Sequence, residues 1–206
     1  MLTIGITGGI GSGKSVVTRM LGEMGAVTID ADKVVHSVYE PSGAAYNEVI
    51  AAFGEGILAP DRTIDRKKLG PIVFADPAAL KRLTDIVWPR TFERMQQMVA
   101  ELRARGERRP IVIEAAVLIE ANWQPLCDEI WLVVAPREDV IARVERDRGL
   151  KPAETEARIK AQLSDDERRK WASVVIENAG TMEELRARVA KLWAQALQRN
   201  AAAPRT

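Results

Sequence analysis

The chain has 206 residues, with 30 Lys and Arg against 29 Asp and Glu, for a formal charge of +1. With 47% apolar and 29% charged residues it can bury one sizeable core; it is neither disordered nor long enough for two ordinary domains. A charge this balanced argues against holding DNA or RNA through bulk electrostatics, and no heptad or Gly-X-Y period is present. The single cysteine, Cys127, cannot form an internal disulfide and reads as a small half-buried hydrophobe. No run approaches the length and apolarity of a membrane span, and the first thirteen residues carry no charged side chain, unlike a signal peptide. The expectation is a soluble, cytoplasmic protein with no nucleic-acid or membrane partner, a monomer or weak homo-oligomer.

In chain order, residues 2–7 (LTIGIT) read as a strand. They run into a glycine-rich loop and then a helix whose apolar positions Val16, Val17, Met20, Leu21 and Met24 recur at helical spacing. Gly25 stands where a C-terminal cap belongs. Residues 26–29 (AVTI) form a second short strand, ending at Asp30-Ala31-Asp32. From 33 to 104 the pattern is helical, interrupted near Pro41-Ser42-Gly43, Gly54–Gly56 and Pro60-Asp61; Asp76-Pro77 opens a helix with a cap and a proline in its first turn. PIVIE (110–114) and EIWLVVAP (129–136) are unbroken apolar strands of the kind covered on both faces, and SVVIEN (173–178) is a fifth candidate. Thr181 with Glu184 makes a capping box for a long final helix, with a frayed tail expected over 200–206. Strands alternating with helices imply an α/β fold, a parallel five-stranded sheet flanked by helices, with ligands beyond the carboxyl ends of the strands.

One motif carries strong chemical information. Gly8-Gly9-Ile10-Gly11-Ser12-Gly13-Lys14-Ser15 matches the phosphate-binding loop G-x-x-x-x-G-K-[ST], and it sits between a strand and a helix as that loop must. Its glycines let backbone N–H groups curl around phosphate oxygens at the positive end of the following helix. Gly9, Ile10, Gly11, Ser12, Gly13, Lys14, Ser15 and Val16 are therefore the residues expected to bind ATP or GTP. Lys14 reaches the terminal phosphates, and the Ser15 hydroxyl is an expected Mg²⁺ ligand. The guanine-reading N-K-x-D string is absent.

Asp32 follows the second strand and is the candidate to orient and deprotonate an acceptor hydroxyl; its plain alternative is a strand-end turn or helix cap. Asp30 either holds Mg²⁺ through water or simply finishes the strand. Glu114, ending PIVIE, is the candidate second Mg²⁺ group, or else a strand-end carboxylate paired with an arginine. From Arg137 to Lys170, 19 of 34 residues are charged. That stretch is a solvated helical face or a mobile lid, and Arg143, Arg146 and Arg148 are candidates to close over the transferring phosphoryl group; Arg146 and Arg148 are the two taken as catalytic.

These residues together resemble the dephospho-CoA kinase family over roughly residues 3–195. The resemblance rests on GITGGIGSGKS, IDADKVVH (29–36), the region around Phe53-Gly54, IDRKKLGPIVFADP (64–77), EAAVLIE (114–120), ARIKAQL (157–163) and VIENAGTMEEL (175–185). It implies a P-loop kinase core with a helical acceptor-binding lobe and a small helical lid. It also implies transfer of the ATP γ-phosphate to the ribose 3′-hydroxyl of dephospho-CoA, with Asp32 as the acceptor-side carboxylate. Residues 1–32, 91–142 and 166–200 would form the nucleotide-binding core, 33–90 the CoA-binding lobe and 143–165 the lid. The chain departs from the family pattern at Val16, where Thr is usual, at Trp88-Pro89, where His-Pro is usual, and at Ala116-Val117-Leu118, where a proline is usual. The alternatives are another small-molecule P-loop kinase, acting on a nucleoside monophosphate or sugar, and a non-catalytic nucleotide-sensing module.

Overall fold

The computed structural model describes residues 1–202. Among them the five expected strands form: β1 (Thr3–Thr7), β2 (Val27–Asp30), β3 (Ile111–Glu114), β4 (Glu129–Val134) and β5 (Val174–Glu177). They make one parallel sheet in the order β2-β3-β1-β4-β5. Every residue of β1 is buried, as is every residue of β4 after the first, which is why neither sequence alternates.

The main core lies on one face of this sheet. Ile4, Ile6, Trp131, Val133 and Ile176 meet Val17, Met20 and Leu21 of α1 (Lys14–Glu23) and Leu185, Val189 and Trp193 of α9 (Met182–Ala202). Trp131 is fully buried and satisfies its one polar atom by donating from Nε1 to Glu129 Oε2 at 2.9 Å. On the opposite face the chain packs so closely that a Cβ on Gly5 would sit 2.7 Å from Cys127 Sγ and 2.6 Å from Leu118. Cys127 is the packing residue its sequence context suggested, and burial pushes its thiol up to about 12, with Asp128 adding to the effect.

Helix ends follow the expected chemistry. Gly25, with φ of 101°, follows the last turn of α1. At the start of α9 the Thr181 N–H donates to Glu184 Oε2 at 2.8 Å, and the Glu184 N–H donates back to Thr181 Oγ1 at 3.2 Å. α9 then runs to Ala202, past the expected start of fraying at 200, and the rest of that expected tail, 203–206, lies outside the described residues.

The chain divides into two compact units, one made of Met1–Asp30 and the segment from Gly106 onward, the other of Ala31–Arg105. The second is all-helical: α2 (Ala31–Val38), α3 (Tyr46–Phe53), α4 (Arg66–Ala75) and α5 (Pro77–Ala104), with α5 packed against the other three. Asp76 caps α5 by accepting from the Ala78 N–H at 2.9 Å, with Pro77 in the first turn. The unit runs past the expected lobe end at 90 because α5 is one 28-residue helix that continues through Pro89. In the first unit, α6 (Arg137–Arg148), α7 (Pro152–Lys160) and α8 (Asp165–Arg169) carry the charged stretch. Residue 143, the expected lid start, falls inside α6, and the chain turns instead at Gly149, whose φ is 65°.

Candidate active site

The phosphate loop leaves the carboxyl end of β1, the central strand, and enters α1 at Lys14. The open N–H groups and positive end of α1 therefore face the loop. Two glycines are fixed by their surroundings. Gly8 has φ of 152° and a Cβ there would lie 2.2 Å from the Val133 carbonyl oxygen; Gly13 has φ of 98° and a Cβ there would lie 2.2 Å from Asn178 Nδ2. That amide is held for a reason: Asn178 Nδ2 donates to the Ser12 carbonyl at 2.8 Å and is buried, tying the end of β5 to the loop. Ile10 seals the loop from beneath, packed on Val140 and Val144 of α6.

The charged and hydroxylic groups of the loop have defined partners. Lys14 Nζ donates to the Gly8 and Gly9 carbonyls, both at 2.9 Å, which curls its ammonium over the loop. Ser15 Oγ donates to Glu114 Oε1 at 2.6 Å. Glu114 is thus joined to the loop hydroxyl, and the register aligns Glu114 with Ile6 of β1 and with Asp30 of β2. The carboxyl ends of these three strands share one rim. A hydroxyl and a carboxylate in contact are the hard oxygen donors that suit Mg²⁺. No group of three or more His, Cys, Asp or Glu able to hold a metal occurs among the described residues.

Beside the loop, a cavity of about 370 Å³ is lined by Lys14, Ser15 and Val16 and by Arg143, Arg146 and Arg148 of α6. These arginines differ in setting. Arg146 is 72% exposed and pairs with Asp147 at 2.7 Å, and that pair holds the Asp147 carboxyl below its ordinary range. Arg143 is only 24% exposed; it donates to the Asn178 carbonyl at 3.1 Å and keeps Nη1 buried without a protein partner among the described residues. Sequence reasoning weighed Arg143 but favoured Arg146 and Arg148, because it placed the key arginine from the spacing of the lid relative to the family the chain resembles.

A second cavity of about 490 Å³ borders the other side of the loop, lined by Gly9, Ile10 and Ser12 together with Gln162, Ser164 and Arg168. Arg168 is 1% exposed, and its guanidinium donates to Glu120 Oε1 at 2.9 Å and to the Leu163 carbonyl at 2.6 Å. Sequence reasoning gave neither Gln162 nor Arg168 a role at the site: Gln162 entered only as part of the ARIKAQL stretch, and Arg168 was a charge in a charged run.

The remaining predicted residues lie in the helical unit. Asp32 is exposed in the first turn of α2, which starts directly after Asp30 ends β2, and Trp88 is half-buried in α5.

Comparison with known proteins gives this architecture a family. A family model for dephospho-CoA kinase matches residues 2–184. The dephospho-CoA kinase of Geobacter sulfurreducens is 45% identical over 95% of this chain and 98% of its own, and that of Thermobifida fusca is 44% identical over 97% and 98%. Among solved structures, a Thermus thermophilus protein shares 34% identity with a TM-score of 0.77, covering 94% of this chain and 97% of its own. The dephospho-CoA kinase of Campylobacter jejuni, at 22% identity over 96% of this chain and 98% of its own, has the same fold with a TM-score of 0.72. An Acinetobacter baumannii shikimate kinase, 17% identical with a TM-score of 0.53 over 98% and 96% of the two chains, shares the P-loop kinase fold. A phosphate loop tied to the ends of β3 and β5, on this sheet order and with relatives matched from end to end, makes the chain a member of the dephospho-CoA kinase family.

Proposed function

We propose that the protein transfers the γ-phosphoryl group of ATP to the ribose 3′-hydroxyl of dephospho-CoA, giving coenzyme A and ADP, the last step of coenzyme A synthesis. The observation that carries this reading is the phosphate loop with Lys14 curled over it and the Ser15 hydroxyl joined to Glu114. In the reaction the 3′-oxygen forms the new bond to γ-phosphorus while the bond from γ-phosphorus to the β,γ-bridging oxygen breaks. ADP leaves with that electron pair, and the hydroxyl proton passes to the Asp32 carboxylate. Lys14 and the backbone of Gly9–Val16 hold the phosphates, and Arg146 and Arg148 answer charge on the transferring group. Ser15 and Glu114 would hold Mg²⁺ brought in with ATP, whose charge offsets that of the phosphates.

The acceptor's non-reacting part is assigned to the helical unit, and 143–165 to a lid over the nucleotide. The partners are small molecules, without nucleic acid, and the protein is a monomer or weak homo-oligomer; the balanced charge supports the first of these. One free cysteine supports a reducing, cytoplasmic setting, and no helix of the described residues is long and apolar enough to cross a membrane. A coupled assay of ADP release, with Mg²⁺ and ATP against a panel of acceptors, tests the assignment. Dephospho-CoA should be turned over fastest. An equal or faster rate on a nucleoside monophosphate or sugar would replace it with another kinase activity, and no turnover with any acceptor would make the chain a nucleotide-binding module.

A further inference from the structure

Gln162 lies in the short link between α7 and α8, and that link is unusually well fixed for a connection in a charged, exposed region. The Gln162 N–H donates to the Ile159 carbonyl at 3.2 Å, and Ser164 closes a capping box with Glu167. Arg168, itself bonded to Glu120, grips the Leu163 carbonyl at 2.6 Å. The Gln162 side chain then crosses to the phosphate loop, where Oε1 accepts the Ile10 N–H at 2.9 Å.

That contact determines which way the amide faces. A backbone N–H can only donate, so it selects the oxygen, and the NH₂ group must turn elsewhere. Nε2 has no acceptor among the described residues, and Gln162 lines the 490 Å³ cavity along with Gly9 and Ser12 of the loop. Of the nearby acceptors, the Gly9 carbonyl is engaged by Lys14, Glu167 by Ser164, and Asp165 faces the Arg168 guanidinium at 3.8 Å. An oriented, neutral donor beside a loop built for phosphate is placed to meet an oxygen of an anion bound there. A neutral amide also has a lower desolvation cost than an ammonium or guanidinium would.

We infer that Gln162 is a substrate-contacting residue whose Nε2 donates to an oxygen of the transferring phosphoryl group, its orientation set by the Ile10 N–H and its backbone by Arg168. This rests on the kinase reading above. The plain competitor is a tether, in which only the Oε1 contact matters.

Two variants separate them. Gln162→Glu keeps an oxygen for the Ile10 N–H but removes the donor and sets a negative charge against an anion; Gln162→Ala removes both ends. A hydrogen bond to a charged group is worth about 1.5–3 kcal/mol, so kcat should fall roughly 10- to 150-fold in both, and at least as far in Gln162→Glu as in Gln162→Ala. The KM for dephospho-CoA and the thermal midpoint should hold near wild-type values. A Gln162→Glu enzyme within about threefold of wild-type kcat would make the residue a tether and overturn the inference. So would a raised KM for dephospho-CoA at unchanged kcat, which would move the contact to the acceptor. If Gln162→Glu does not fold, Gln162→Ala is read for ATP affinity as well: a lower kcat with ATP affinity unchanged supports the contact, whereas an unchanged kcat, or a loss that appears in ATP affinity as from a loosened loop, overturns it. Failure of the kinase reading would appear separately, in the wild-type rate on dephospho-CoA.

Discussion

The phosphate loop and the charged stretch 137–170 share one compact unit and are near opposites in how they are built. The loop, Gly8–Ser15, contains a single charged side chain, Lys14, and is shaped by glycines, backbone hydrogen bonds and one buried amide from Asn178. The stretch holds 19 charged residues in 34, and most of those charges face solvent, some in pairs such as Arg137–Glu156 and Arg146–Asp147. Solvent-exposed pairs of this kind contribute little, about 0–1 kcal/mol each. The lesson is that density of charge is a poor guide to density of chemistry. What distinguishes the consequential residues is burial and a fixed partner: Arg168 is 1% exposed where Arg146 is 72%.

Five substitutions probe that contrast, from the largest expected effect down. In the proposed mechanism Lys14→Ala and Asp32→Asn should each lower kcat by roughly 10²–10⁴ while the protein stays folded and Asp32→Asn still binds ATP. Steady-state rates with a fluorescent-nucleotide titration check this, and a loss below tenfold for Asp32→Asn would reduce it to positioning. Gly13→Ala comes next. It forces a Cβ into the space of the Asn178 amide at a left-handed backbone, and a displaced loop should cost on the order of 100-fold in kcat/KM. Full activity in this variant would show that the loop adapts and that the contrast with the charged stretch is overstated.

Arg168→Ala tests the stretch from its buried side. It strands the Glu120 carboxylate and should destabilise by about 3 kcal/mol, read as a shift in urea midpoint. Wild-type stability would place Arg168 with the surface pairs. Arg146→Ala should change stability by less than about 0.5 kcal/mol, because its side chain is exposed and its partner adjacent. Any fall in its kcat is then a statement about the reaction, and comparison with Arg148→Ala and Arg143→Ala shows which arginine of α6 meets the phosphoryl group.

Much of this molecule was legible before folding. The parallel sheet followed from unbroken apolar strands alternating with helices, and the site's centre followed from a loop whose spacing is dictated by phosphate geometry. Cys127 and the caps at Asp76 and Thr181 were readable because each depends on immediate neighbours or on composition. The extent of the helical unit was less readable, since Pro89 sits inside a 28-residue helix that tertiary packing maintains against local preference. Gln162 lies in the ARIKAQL stretch, but no local pattern tied it to the phosphate loop: its partner, Ile10, is 152 residues away.

The balanced charge of +1 sharpens accordingly. By itself the sequence determined a neutral α/β chain that binds phosphate through backbone and one lysine, because those features are encoded in spacing and composition. Only the tertiary structure decided which of its 30 cations and which of its amides face the loop. Burial and pairing arise when β5, α6 and the link after α7 are brought against residues far from them in the chain, and no local pattern records those meetings.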